Sequence, residues 1–165
     1  MNNVVLKKLN RALALFVVAG AMVSSASAES LLAFVTRANN AEAATSGVLV
    51  PLGNLGATSL AFTTSAANKV VKITYNAECG VLGPVQSWLS VTVLVDGSEA
   101  NPASSTSFAL CTASSTSTYS WTGAVRQSVY KVAAAGAHKV EIRVNLNNGA
   151  TEWWLGDTSL TVEQQ

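Results

Sequence analysis

A chain of 165 residues, with ten Lys and Arg against nine Asp and Glu, is long enough for one domain with a substantial core and too short for two ordinary ones. Three of the ten cations, Lys7, Lys8 and Arg11, sit near the N-terminus, so the rest of the chain is weakly acidic and offers no basic run for nucleic acid or an anionic membrane. One histidine and two cysteines outside any Cys-x-x-Cys spacing also argue against a zinc or thiol-redox centre.

Lys7, Lys8 and Arg11 precede an apolar run over 12–23 and a small-residue stretch over 24–28 that ends Ala26-Ser27-Ala28. This is the pattern of a secretory signal peptide cleaved before Glu29, and an apolar run of about 12 residues is well short of the ~20 that span a bilayer. Residues 29–165 are therefore expected to form a single exported domain, secreted, periplasmic or at the cell surface, and not inserted in a membrane. Its formal charge is −2, from seven cations and nine anions. In that oxidising setting Cys79 and Cys111 are expected to form a disulfide. Closing a loop of about 33 residues stabilises the fold by roughly 3.5 to 4 kcal/mol in the chain-entropy model.

Taken in order, residues 31–37 predict a first strand and 39–47 a small, polar loop. Residues 48–52 predict an edge segment, because Pro51 cannot donate to a central ladder. Gly53, Asn54 and Gly56 mark a turn before a strand over 59–64. Residues 69–77 alternate Val71, Ile73, Tyr75 and Ala77 with Lys72, Thr74 and Asn76, the signature of a half-buried strand. Gly80, Gly83 and Pro84 are read as breaking the chain.

The clearest strand follows at 88–95, where Leu89, Val91, Val93 and Val95 share a face, and Asp96 and Gly97 supply its turn. Residues 98–102 are read as an exposed excursion. Ala-Ser-Ser-Thr-Ser occurs at 103–107 and again at 113–117; this predicts two solvated loops around a short buried strand at 108–111. Tyr119 and Trp121 share a face of an extended piece that Gly123 interrupts. Residues 126–132 predict a strand whose imperfect alternation suggests a bulge.

Ala133, Ala134 and Ala135 are too few to nucleate a helix before Gly136 and read as a connection. Residues 137–146 alternate cleanly, with Val140, Ile142, Val144 and Leu146 facing inward. Asn147, Asn148 and Gly149 form a strong turn signal. Strands over 152–155 and 158–163 follow, separated by a turn at Gly156 and Asp157. Eight or nine short strands without an amphipathic helix predict an all-β, two-layer antiparallel β-sandwich. A jelly roll is the preferred topology and an immunoglobulin-like Greek key the alternative.

Chemistry is sparse. Trp153 and Trp154 are adjacent, so on one strand they face opposite ways. With Trp153 and Leu155 inward, Trp154 projects outward beside Glu152, near Asn147 and Asn148 in the adjoining turn. An indole beside a carboxylate can stack on a sugar ring while accepting a hydroxyl hydrogen bond, whereas the bland reading has Trp154 covered by other elements. His138 lacks a nucleophile motif and is expected to cap its strand. Asp96 and Asp157 suit turns for backbone reasons, and calcium at either is only weakly supported because no Asp-x-Asp-x-Asp cluster exists. No cofactor is expected.

Val93-Leu94-Val95-Asp96-Gly97, Ala135-Gly136-Ala137-His138-Lys139-Val140 and Trp154-Leu155-Gly156-Asp157 with Leu160 together resemble the order of signals in secreted galactose-binding-like jelly rolls, including carbohydrate-binding modules. The resemblance implies glycan binding through exposed aromatics, often with a structural calcium, and by position it would place a site at Trp154 and the Asn147-Asn148 turn. The expected function is a non-enzymatic extracellular module that binds a glycan or another surface protein. The alternatives are a self-associating surface or matrix protein, with Trp154 in a subunit interface, and a hydrolase using a carboxylate pair.

Overall fold

The computed structural model describes residues 29–103 and 108–165. The segment read as a signal peptide and residues 104–107 of the first Ser/Thr repeat lie outside them. Among the described residues there are ten strands: β1 (Ser30–Arg37), β2 (Ala41–Ala43), β3 (Ser59–Thr64), β4 (Val70–Leu82), β5 (Trp88–Val95), β6 (Ser98–Glu99), β7 (Cys111–Thr112), β8 (Thr122–Lys131), β9 (Gly136–Asn147) and β10 (Glu152–Gln164). They form two antiparallel sheets. Sheet I runs β1-β10-β4-β8, with β2 also on β10; sheet II runs β3-β9-β5-β6, with β7 also on β5.

β1 and β2 pair in turn with the far and near halves of β10, so together they make one edge. β6 and β7 share β5 in the same way. With each of these pairs taken as one position, the sheet orders are first-eighth-third-sixth and second-seventh-fourth-fifth. The first and last strands are neighbours and the order follows a double Greek key, which is jelly-roll connectivity and not the immunoglobulin-like alternative.

Alternation explains the core. Val71, Ile73, Tyr75, Ala77, Cys79 and Val81 of β4 face Leu89, Val91, Val93 and Val95 of β5 and Val140, Ile142 and Val144 of β9 across the sandwich, all buried. Residues 48–52, expected as an edge segment, bond to β9 in their first part, through Val50 N–H to the Ile142 carbonyl and Val144 N–H to the Val48 carbonyl, at 2.8 and 3.0 Å. Asp96 and Gly97, both at positive φ, close the two-residue β5–β6 hairpin.

Several local readings change. The 39–47 stretch is not all loop, because β2 pairs Glu42 with Trp154. Gly80 does not break β4, nor Gly123 β8; these two strands stay in uninterrupted register from Val70↔Lys131 to Cys79↔Thr122, without the bulge expected in 126–132. Residues 98–102 are not wholly an exposed excursion, since Ala100 is buried and bonds to the Val93 carbonyl. The short strand expected at 108–111 is confined to β7, and Phe108 is exposed. Gly156 and Asp157 are not a turn but a bulge within a continuous β10, where the register to β4 shifts between Gly156 and Ser159. Arg37, itself buried, donates to the Leu155 carbonyl beside that bulge at 3.1 Å.

The Cys79–Cys111 disulfide joins β4 of sheet I to β7 of sheet II, with the two Cα atoms 6.2 Å apart. Replacing both cysteines by Ala is expected to lower unfolding free energy by about 3 to 4 kcal/mol, read from urea denaturation at unchanged far-UV dichroism.

Candidate functional site

β10 separates its two tryptophans by strand geometry alone. Trp153 is buried and its Nε1–H donates to the Thr45 carbonyl at 2.9 Å. Trp154 emerges on the outer face of sheet I, directly between Glu42 of β2 and Gly80 of β4. It is half-buried because Trp121 meets it, with ring centroids 4.1 Å apart and planes inclined at 59°. Trp121 in turn stacks on Tyr119 at 4.9 Å and 23°. Trp121 is 49% exposed, so the three rings form an angled, partly open aromatic platform.

The platform lies against the sheet because two outward positions lack side chains. A Cβ on Gly80 would stand 2.5 Å from Trp121 Cζ3 and 3.0 Å from Tyr119 Cδ1, and a Cβ on Gly156 would stand 2.3 Å from Trp154 Cη2. Glycine inside a strand allows such close approach. Here it lets the indoles lie on backbone.

The surroundings are acidic. Glu152 lies two residues before Trp154 on the same face, and Glu42 is its cross-strand neighbour. Burial first, then the carboxylates of Glu152 and Glu42, push the Tyr119 phenol pKa well above its ordinary value. Its hydroxyl is shielded from solvent and has no hydrogen-bond partner of normal geometry. Glu78 lines an open groove with Asp157, Asn76 and Val125 just beyond Gly156.

Asn147 and Asn148 do not join this site. Asn147 belongs to the outer face of sheet II, where its amide donates to Ser90 Oγ at 2.9 Å and the Asn145 carbonyl at 3.0 Å. Asn148, at positive φ, donates to the Gln86 carbonyl at 3.0 Å. Both amides are engaged away from the platform, by β5, β9 and the loop before β5. Of the residues singled out from sequence, Trp154 and Glu152 share the platform; Tyr119, Trp121 and Glu42 were not singled out as site residues. The available signals were the i, i+2 spacing of Tyr119 and Trp121 and the glycines inside two strands.

His138 shows a different constellation. Its Nδ1 is 2.7 Å from Asp96 Oδ2, and its Nε2 is 3.1 Å from the Ala134 carbonyl and 3.3 Å from Thr64 Oγ1. The Thr-His-Asp order imitates a hydrolytic triad. Thr64, however, is only 2% exposed and its hydroxyl also donates to the Ala134 carbonyl at 3.3 Å, so no substrate carbonyl can reach it. The arrangement ties the β5–β6 and β8–β9 turns to β3. Asp96 also accepts from the Lys139 N–H at 2.9 Å. Among the described residues no three His, Cys, Asp or Glu side chains converge as metal ligands.

No family model matches the chain, and no curated protein does. Solved structures similar to it include the EclA C-terminal domain, described as a sugar-binding protein, at 10% identity and TM-score 0.38, covering 75% of this chain and 78% of that one. A CBM36-1 domain of a multidomain xylanase from the hindgut metagenome of Trinervitermes trinervoides matches at 12% identity and TM-score 0.32, over 81% of this chain and 95% of that one. A structure of infectious bursal disease virus, Gx strain, matches at 14% identity and TM-score 0.35, over 82% and 30%. At these values the likenesses assign neither family nor ligand.

Two outcomes follow from the geometry. Gly156→Ala should lift the Trp154 indole from its strand, read as a loss of near-UV dichroism from the coupled rings while far-UV dichroism persists. Burial opposes ionisation of Asp96, but hydrogen bonds from His138 and the Lys139 N–H outweigh it and hold the carboxyl below its ordinary 3.8. A depressed carboxyl stabilises the fold above its unfolded pKa, and that contribution disappears as pH falls through the folded one. Asp96→Asn should therefore melt lower than the unsubstituted protein near neutral pH, with the gap closing below about pH 4 in thermal melts.

Proposed function

We propose that this protein is a non-catalytic glycan-binding module whose site is the platform of Tyr119, Trp121 and Trp154 on the outer face of sheet I. The observation that carries the reading is the ring array itself. Three aromatics, contributed by β10 and by the segment preceding β8, are held on glycine backbone and left partly open to solvent. Burial of apolar surface is the ordinary fate of such side chains, and an exposed cluster braced from beneath is a recognition surface. The apolar face of a pyranose stacks on an indole, and Glu152 and Glu42 accept hydrogen bonds from its hydroxyls.

Tryptophan fluorescence titrated with a panel of soluble polysaccharides tests this. A saturable change is expected, weakened at least about tenfold by Trp121→Ala or Trp154→Ala, equivalent to ~1.4 kcal/mol. Asn148→Ala should bind like the unsubstituted protein. Flat titrations with every polysaccharide, or a concentration-dependent increase in size abolished by Trp121→Ala, would replace this reading with self-association through the same rings.

A further inference from the structure

The chain has nine Asp and Glu side chains, and their pairing is uneven. Glu29 and Glu163 both bind Lys72, at 2.8 and 2.9 Å. Asp96 contacts His138, Glu141 contacts Lys139 and Glu99 contacts Arg143, at 2.7, 2.7 and 3.0 Å. Glu42, Glu78, Glu152 and Asp157 make no ion pair among the described residues, and all four surround the platform. Glu42 is opposite Trp154, Glu152 is two residues before it, Glu78 is opposite Gly156, and Asp157 is the bulge next to Gly156.

Among the described residues no cation offsets them there. Lys72 and Lys131 lie toward the other end of sheet I, where Val70 and Val71 meet Lys131 and Tyr130. Lys72 stands eight residues from Gly80 along β4, roughly 26 Å at strand rise. Arg37 is buried and committed to the Leu155 and Asn39 carbonyls. Arg126 is held by the Pro102 carbonyl and the Phe108 ring. Nor do the four carboxylates converge as a calcium site requires, since calcium takes six to eight oxygens at about 2.3 to 2.6 Å and no such cluster occurs among the described residues. Negative charge is instead distributed around electron-rich ring faces, which attract an organic cation.

We infer that the platform selects a cationic glycan, one built of amino sugars whose amines are free and protonated. The inference rests on the glycan reading above and narrows its ligand class. The sugar ring stacks on the indoles, and the ammonium groups along the chain face Glu42, Glu78, Glu152 and Asp157.

Calorimetric titration of the intact protein compares the hexasaccharides of glucosamine, N-acetylglucosamine and β-1,4-linked glucose, with poly-lysine as a fourth probe. It is run in mildly acidic buffer, where the sugar amines are protonated. The expected result is preference for the glucosamine oligomer by about tenfold or more, weakened severalfold by added salt and by raising the pH until the amines are neutral. Glu42→Gln and Glu152→Gln should each weaken it about two- to fivefold, and Glu99→Gln, on sheet II, should not change it.

Equal affinity for the three sugars, insensitive to salt and to the glutamine variants, would overturn the cationic preference and leave the glycan reading intact. Binding to none of them would overturn both. Poly-lysine binding without any sugar binding would also overturn both and make this a surface for basic peptides.

Discussion

The parity of β10 is the constraint on which the rest of sheet I depends. Trp153 and Leu155 face the core at odd positions, whereas Leu160 and Val162 face it at even ones. A strand with strict period two cannot bury both pairs. One extra residue must be absorbed between them, and Asp157 absorbs it at φ 44°, in the left-handed region that Asp tolerates better than most side chains. The bulge therefore lets a single strand pair with β1 over one half and β2 over the other while its inward residues on both sides of the bulge stay in the core. Arg37, from β1, donates to the Leu155 carbonyl beside it.

The same strand sets up the aromatic platform. With Trp153 and Leu155 inward, Trp154 and Gly156 must face out, and Gly156 offers its backbone as the seat for the indole two residues before it. Gly80 on the adjacent strand does the same for Trp121. Glycine weakens a strand by roughly 0.5 to 1 kcal/mol relative to alanine when nothing else compensates. Here a side chain would collide with a ring, so contact between the aromatics and the backbone offsets that loss. Trp154, Trp121 and Tyr119 are consequently held in place by the sheet itself, on a scaffold whose opposite face is packed core. Side chains held in this way have little conformational freedom left to lose.

Much of this architecture was legible because alternation is a local property. β3, β5 and β9 were readable from inward apolar residues at period two, and the β5–β6 and β9–β10 turns from Asp-Gly and Asn-Gly. Three features were not. Gly80 and Gly156 looked like strand breaks because glycine's usual meaning is a turn, and its alternative meaning needs a partner ring that sequence does not place. The switch of parity between Leu155 and Leu160 was visible as spacing, but a turn and a bulge both produce it. Asn147 and Asn148 are near Trp154 along the chain, yet β9 belongs to sheet II and β10 to sheet I, so the Asn147 amide lies on the outer face of sheet II, away from the indole on sheet I. Sequence proximity fails as a guide wherever a hairpin crosses between layers.

Charge follows the same division of the molecule. At one end of sheet I, Lys72 bridges Glu29 and Glu163 and offsets half the charge of that pair of carboxylates. Exposed pairs of this kind contribute only about 0 to 1 kcal/mol each, so their arrangement says less about stability than about which charges remain available. At the other end the carboxylates of Glu42 and Glu152 stand within a strand spacing or two of each other with no cation paired to either among the described residues. Folding has brought together like charges that an extended chain would keep apart. Local compensation was within reach of the fold, since a Lys on the outward face of β8 near Gly123 would have supplied it. Instead that flank presents Val125, exposed and apolar, beside the groove that Glu78 and Asp157 line, which leaves the acidic field directed outward over the rings.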